Sequence, residues 1–130
     1  MTRKFILGAA IAVAVSPSIT AFAGANDYVF EPVKAEIKKG NDVIVSVRLK
    51  HKATGKPIAD AVIVQTRIDM APDGMAEMTA RIEQLPSTEP GVYRFKTNLS
   101  MQGSWQLSLA AKVQGEIGTV ECKLVLKVSP

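Results

Sequence analysis

Apolar and polar side chains exchange places at every second residue through most of this chain, and that period leaves little choice of fold. Val43, Val45, Val47 and Leu49 alternate with Ile44, Ser46 and Arg48. Tyr93, Phe95, Thr97 and Leu99 alternate with Arg94, Lys96 and Asn98, and Trp105, Leu107, Leu109 and Ala111 alternate with Gln106, Ser108 and Lys112. Near the C-terminus Val120, Cys122, Leu124, Leu126 and Val128 share one face, with Glu121, Lys123 and Lys127 opposite. A helix repeats every ~3.6 residues; a period of two places one face of a strand in a core and the other in water. Three further runs fit the pattern. Tyr28 to Ile37 carries Val33, Ala35 and Ile37; Ala61 to Asp69 would put Val62, Val64, Thr66 and Ile68 on one face; Met78, Ala80 and Ile82 alternate with Thr79, Arg81 and Glu83. Turn-forming clusters divide the runs, at Lys39-Gly40-Asn41-Asp42, Thr54-Gly55-Lys56-Pro57 and Pro86 to Gly91. Short alternating strands between regular turns predict an all-β fold, a single immunoglobulin-like β-sandwich of about seven antiparallel strands. Trp105, the largest side chain, belongs at the centre of its core. Asp73 to Met78 has room for a helical turn, but Gly74 argues against a longer helix.

The first residues follow a different rule. Arg3 and Lys4 precede an uncharged apolar run, Phe5 to Val15, and Ala21-Phe22-Ala23 is a small-x-small cleavage signal. Ser16, Pro17, Ser18 and Thr20 interrupt the apolar run, which is short for a membrane span. Residues 1–23 therefore read as a cleaved signal peptide and 24–130 as one mature domain, with a periplasmic location expected. Removing Arg3 and Lys4 lowers the basic count from 16 to 14 against 12 acidic residues, a net charge of +2. No arginine stripe with interleaved aromatics is present, so nucleic acid is not an expected partner. The single cysteine, Cys122, cannot form an internal disulfide, and the domain must rely on its core.

The remaining methionines cluster. Met70, Met75 and Met78 lie in Asp-Met-Ala-Pro-Asp-Gly-Met-Ala-Glu-Met, and Met101 lies in Leu-Ser-Met-Gln-Gly-Ser-Trp. Pro72 and Gly74 make the first segment a turn. Thioether sulfur is a soft donor suited to Cu(I), so methionines gathered on loops of an exported protein point to metal handling. The competing reading is that methionine fills irregular core gaps. It applies first to Met78, in register with Ala80 and Ile82, and equally to Met101 beside Trp105; Met70 and Met75 are the better ligand candidates. Asp69, Asp73 and Glu77 flank them and read as solvated loop carboxylates, since their spacing matches no calcium loop. His51, between Lys50 and Lys52, reads as a surface residue, because the two cations oppose a metal ion there. Cys122, in register with Val120 and Leu124, reads as a small core hydrophobe. No Gly-x-Ser-x-Gly elbow and no nucleophile–base pair is visible, so no enzyme and no small-molecule substrate is expected.

Four pieces taken in order resemble the FixH/YtkA-like family of exported sandwich domains: Gly55-Lys56-Pro57-Ile58-Ala59-Asp60-Ala61-Val62, the methionines Met70, Met75 and Met78, Pro90-Gly91-Val92-Tyr93-Arg94, and Leu99-Ser100-Met101-Gln102-Gly103-Ser104-Trp105. The resemblance covers about Val43 to Lys112. It implies copper handling, heavy-metal efflux or cytochrome oxidase assembly. It also implies that Met70, Met75, Met78 and Met101 occupy the family's methionine positions, with Cu(I) as the cofactor and a membrane-bound efflux or oxidase-assembly protein as the partner. The chain differs from membrane-anchored FixH proteins in its cleavable N-terminus, and its methionine loop lacks a histidine. A metal-free domain that docks on a membrane complex is the alternative.

Overall fold

The computed structural model describes residues 27–130, so the expected signal peptide lies outside the described residues. Nine strands form two sheets: β1 (Tyr28–Pro32), β2 (Glu36–Lys38), β3 (Gly40–His51), β4 (Val62–Met70), β5 (Met75–Thr79), β6 (Ile82–Leu85), β7 (Val92–Leu99), β8 (Gly103–Lys112) and β9 (Thr119–Ser129). The four-stranded sheet has the order β1-β3-β7-β6, and the five-stranded sheet β2-β9-β8-β4-β5. Their inner faces pack into one core that includes Val45, Val47, Leu49, Ile68, Phe95, Leu99, Leu107 and Leu126. Trp105, 1% exposed, sits within it. This is an immunoglobulin-like β-sandwich, as the alternation predicts.

Nine strands arise from seven runs because two of the runs change sheets midway. The run from Tyr28 to Ile37 breaks just after Pro32, once Val33 N–H has donated to Ser46 O at 2.9 Å. Its first half pairs antiparallel with β3, and its second half crosses to the other sheet and lies parallel to β9. The backbone bonds Lys127 N–H to Ala35 O and Lys39 N–H to Ser129 O, each 2.8 Å, fix that crossing. β2–β9 is thus a parallel pair in a sandwich expected to be antiparallel throughout. The run from Met78 to Glu83 breaks in the same way. Ala80 N–H still donates to Ile68 O in the five-stranded sheet at 3.2 Å, while Arg81 O accepts from the buried Thr97 hydroxyl in the four-stranded sheet at 2.6 Å.

β4 departs from strict alternation. Its register against β8 shifts between Ile63 and Gln65, leaving Val64 as the extra residue of a bulge. Ile63 faces inward before the bulge; Thr66, Ile68 and Met70 do so after it. Val62 and Val64, expected in the core, are exposed.

Candidate functional site

The methionine segment and the Met101 segment meet at one end of the sandwich. β4 and β8 are antiparallel, so the end of β4 and the start of β8 lie side by side. Beyond Met70 the chain makes a single 3-10 turn, Ala71–Asp73, with Pro72 in its first turn, where a missing N–H costs nothing. Gly74, at φ 76°, closes the turn by donating its N–H to Ala71 O at 2.8 Å. The Asp73 carboxylate then accepts the Ser104 N–H at 2.9 Å, binding the turn to β8. Directly beneath lies Met70: a Cβ placed on Gly103 would stand 2.8 Å from Met70 Cε and 2.5 Å from Asp73 Oδ2. The Trp105 indole Nε1–H donates to Met101 O at 2.9 Å, so the core tryptophan also holds the Met101 loop.

The four thioethers differ in access. Met70 is fully buried, Met75 is half-buried against the core, and Met78 and Met101 are each 39% exposed. For Met70 and Met78 this reverses the accessibility expected from the sequence. β4 runs one residue past Asp69, so Met70 takes the next inward position after Ile68. Met78 loses its expected register with Ile82 because the chain changes sheets between them. Met101 presents its side chain outward, and its backbone carbonyl makes the link to Trp105.

The flanking carboxylates are not alike. Asp69, read from the sequence as solvated, has a side chain only 5% exposed. Burial pushes its pKa up, but the Ala71 N–H on Oδ1 at 2.9 Å, the Arg67 Nε–H on Oδ2 at 2.7 Å, and the charges of Arg67 and Lys123 outweigh that cost. The carboxyl stays below its ordinary value. Arg67 also donates from Nη2 to Ala76 O at 2.9 Å. One Arg–Asp pair therefore holds both limbs of the methionine segment, at Ala71 and at Ala76. An i, i+2 pair of opposite charge on one strand face was the sequence signal for it. Asp73 is exposed but committed to Ser104, and Glu77 is exposed.

His51 and Cys122 lie elsewhere. His51 is half-buried at the far end of the sandwich, 5.3 Å edge-on from the Tyr28 ring, with the Thr54 hydroxyl 3.5 Å from its Nδ1. Cys122 is half-buried against the core, as its register predicts, and burial pushes its thiol up to about 11. Among the described residues no three of His, Cys, Asp and Glu converge as a metal-binding group. The soft donors at the methionine end are thioethers alone.

The four sequence pieces form two contacts at opposite ends. At the far end Gly91 lies so close to Pro57 that a Cβ on it would stand 2.6 Å from Pro57 Cβ. There the buried Tyr93 hydroxyl donates to Ile58 O at 2.6 Å and accepts the Ala61 N–H at 3.1 Å. The Gly-Lys-Pro turn thus packs on the Pro-Gly-x-Tyr strand start, while the methionine turn packs on the Met101 loop.

The profile of the YtkA-like family matches residues 22–110, a span that includes both contacts. No curated protein matches the chain. Among solved structures the chain is similar to the Lin-41 filamin domain, at 19% identity and TM-score 0.47, over 79% of this chain and 92% of that one. It is also similar to the ZirS C-terminal domain, at 11% identity and TM-score 0.47, over 100% of this chain and 80% of that one. A third likeness is to domains 4 and 5 of the S-layer protein SbsC, at 16% identity and TM-score 0.38, over 79% of this chain and 51% of that one.

Proposed function

The chain belongs to the YtkA-like family, and from that premise we propose that it is an exported, non-enzymatic accessory domain that takes up Cu(I) through the thioethers of its methionine end. Met75, Met78 and Met101 are the accessible donors. Met70 lies fully buried beneath Gly103, outside the accessible set. One observation carries the reading: Asp73 bonds to Ser104 and brings two methionine segments, separate in sequence, to the same end of a rigid sandwich. Thioethers are neutral soft donors, so the site would favour Cu(I) over Zn(II) and bind with little dependence on pH near neutrality. Glu77, exposed on β5, adds a negative charge beside the donors. The recipient would be a membrane-bound efflux or oxidase-assembly protein, and the location periplasmic.

Anaerobic competition against a chromogenic Cu(I) chelator tests this. The wild-type domain should withdraw roughly one equivalent of Cu(I). A Met75→Leu, Met78→Leu, Met101→Leu variant should withdraw none, and its melting should stay close to wild type because leucine matches methionine in volume and hydrophobicity. Equal competition by the two proteins would remove the metal from the reading. The methionine end would then be a metal-free surface for docking on a membrane complex.

A further inference from the structure

The outer face of the five-stranded sheet carries a groove that the methionine end does not use. Register across three strands places its side chains in rows. Arg67 on β4, Ser108 on β8 and Lys123 on β9 form one row; Gln65, Ala110 and Glu121 form the next; Asp69 and Gln106 belong to the third. The central strand contributes the small residues Ser108 and Ala110, and the flanking strands contribute long polar ones. The result is a trough with a volume of about 570 Å³. That volume lies within the range of small-molecule sites, about 300–1,000 Å³.

The charges of the trough are ordered. Asp69 faces it with both oxygens engaged, Oδ1 accepting the Ala71 N–H and Oδ2 the Arg67 Nε–H. The Nη1 edge of Arg67 takes part in neither of that residue's bonds, to Asp69 and to Ala76. Arg67 and Lys123 therefore stand as two cations on either side of the Ser108 hydroxyl, their backbones about 10 Å apart, which is two strand spacings. Glu121 lies on the adjacent same-face row, about 7 Å along the strand, with the Gln65 amide across Ala110 from it. The groove is thus close to neutral overall, with the Arg67–Lys123 row lying between the carboxylates of Asp69 and Glu121.

We infer that this groove binds a small zwitterion, with its carboxylate over Ser108 between Arg67 and Lys123 and its ammonium at Glu121 and the Gln65 carbonyl. An ω-amino acid with its two charged groups about 7 Å apart matches the row spacing. A monovalent carboxylate of the same length satisfies only the cationic row.

Amide chemical-shift titration of the exported chain with δ-aminovalerate and with valerate tests the assignment. δ-Aminovalerate should give saturable shifts confined to Gln106, Ser108, Ala110, Glu121 and Lys123, and valerate should bind more weakly at the same residues. Lys123→Gln should weaken both ligands by about tenfold or more, the loss expected for a charge-assisted contact. Glu121→Gln should bring δ-aminovalerate down to the affinity of valerate. Both substitutions lie on the exposed face of β9 and leave the Arg67–Asp69 pair in place. Shifts that do not saturate, shifts centred outside the groove, or an affinity unchanged by either substitution would each overturn the inference.

Discussion

Gly103→Ala tests directly how the two methionine segments are held together. Gly103 has φ +137°, a backbone region that side chains rarely adopt, and an added methyl would stand 2.5 Å from Asp73 Oδ2 and 2.8 Å from Met70 Cε. The backbone conformation costs about 1–3 kcal/mol for a residue with a side chain. Both neighbours are ends of flexible side chains, so the backbone need not move, but each displacement has its own cost. Asp73 would withdraw from the Ser104 N–H, losing a charge-assisted bond of about 1.5–3 kcal/mol. Met70, fully buried, would have to repack within a filled core, at about 1–3 kcal/mol. Partial relaxation keeps these from adding in full, and the expected destabilisation is about 3–5 kcal/mol. Urea melts should show it as a lowered midpoint with an unchanged slope. Gly74→Ala is the control. It also has a positive φ, but no atom lies within 4 Å of its Cβ position, so it should cost only about 1–2 kcal/mol for the left-handed conformation. Equal losses in the two variants would refute the claim that Gly103 is kept small by the methionine turn packed upon it.

Two further outcomes follow from the core and from the Arg67–Asp69 ion pair. Trp105→Ala should destabilise by about 3–5 kcal/mol, as expected for a truncated core aromatic, and should also free the Met101 carbonyl; a change under about 1 kcal/mol in a denaturant melt would be that of a surface residue. Asp69 has a folded-state pKa below its unfolded value of 3.8. Its ionised form therefore contributes stability that is full above that value and lost as pH falls through the folded pKa. Asp69→Asn should be clearly less stable than wild type at about pH 7, and the gap should close toward about pH 2. A gap constant across that range would contradict the assignment of Asp69 as an ionised partner of Arg67.

The sequence predicts the sandwich because alternation depends on local pattern alone, and the runs at Val43–Leu49, Tyr93–Leu99, Trp105–Lys112 and Val120–Val128 became β3, β7, β8 and β9 with their inward faces as read. It does not predict where a run changes sheets. Residues on either side of Pro32, or of Ala80 and Arg81, keep the period of two while the surface they face changes from one sheet to the other. Hydropathy is the same on both sides of such a crossing; only the choice of hydrogen-bond partner differs, and that partner is distant in sequence. The Val64 bulge is hidden for the same reason, since in a run as uniformly apolar as Ala61-Val62-Ile63-Val64 either parity fits. The Ala80–Arg81 crossing shifted the reading of Met78, and the bulge shifted that of Val62 and Val64.

The methionine end shows the same limit for chemistry. Composition identified the segment, but the burial of Met70 and the exposure of Met78 depended on a strand end and a sheet crossing, so side-chain type carried the element preference and not the access. Asp69 is the clearer case. Three carboxylates near a loop look equivalent in sequence, yet one is buried and carries the loop. Its neighbour Arg67 neutralises it, bonds Ala76 on the opposite limb, and forms one wall of the outer groove. Arg67 and Asp69 thus both line the groove and bond to the methionine segment, at Ala76 and at Ala71. A group bound against the Nη1 edge of Arg67 acts on the same guanidinium that holds Ala76, so the two regions of this small domain are mechanically linked through the Arg67–Asp69 pair.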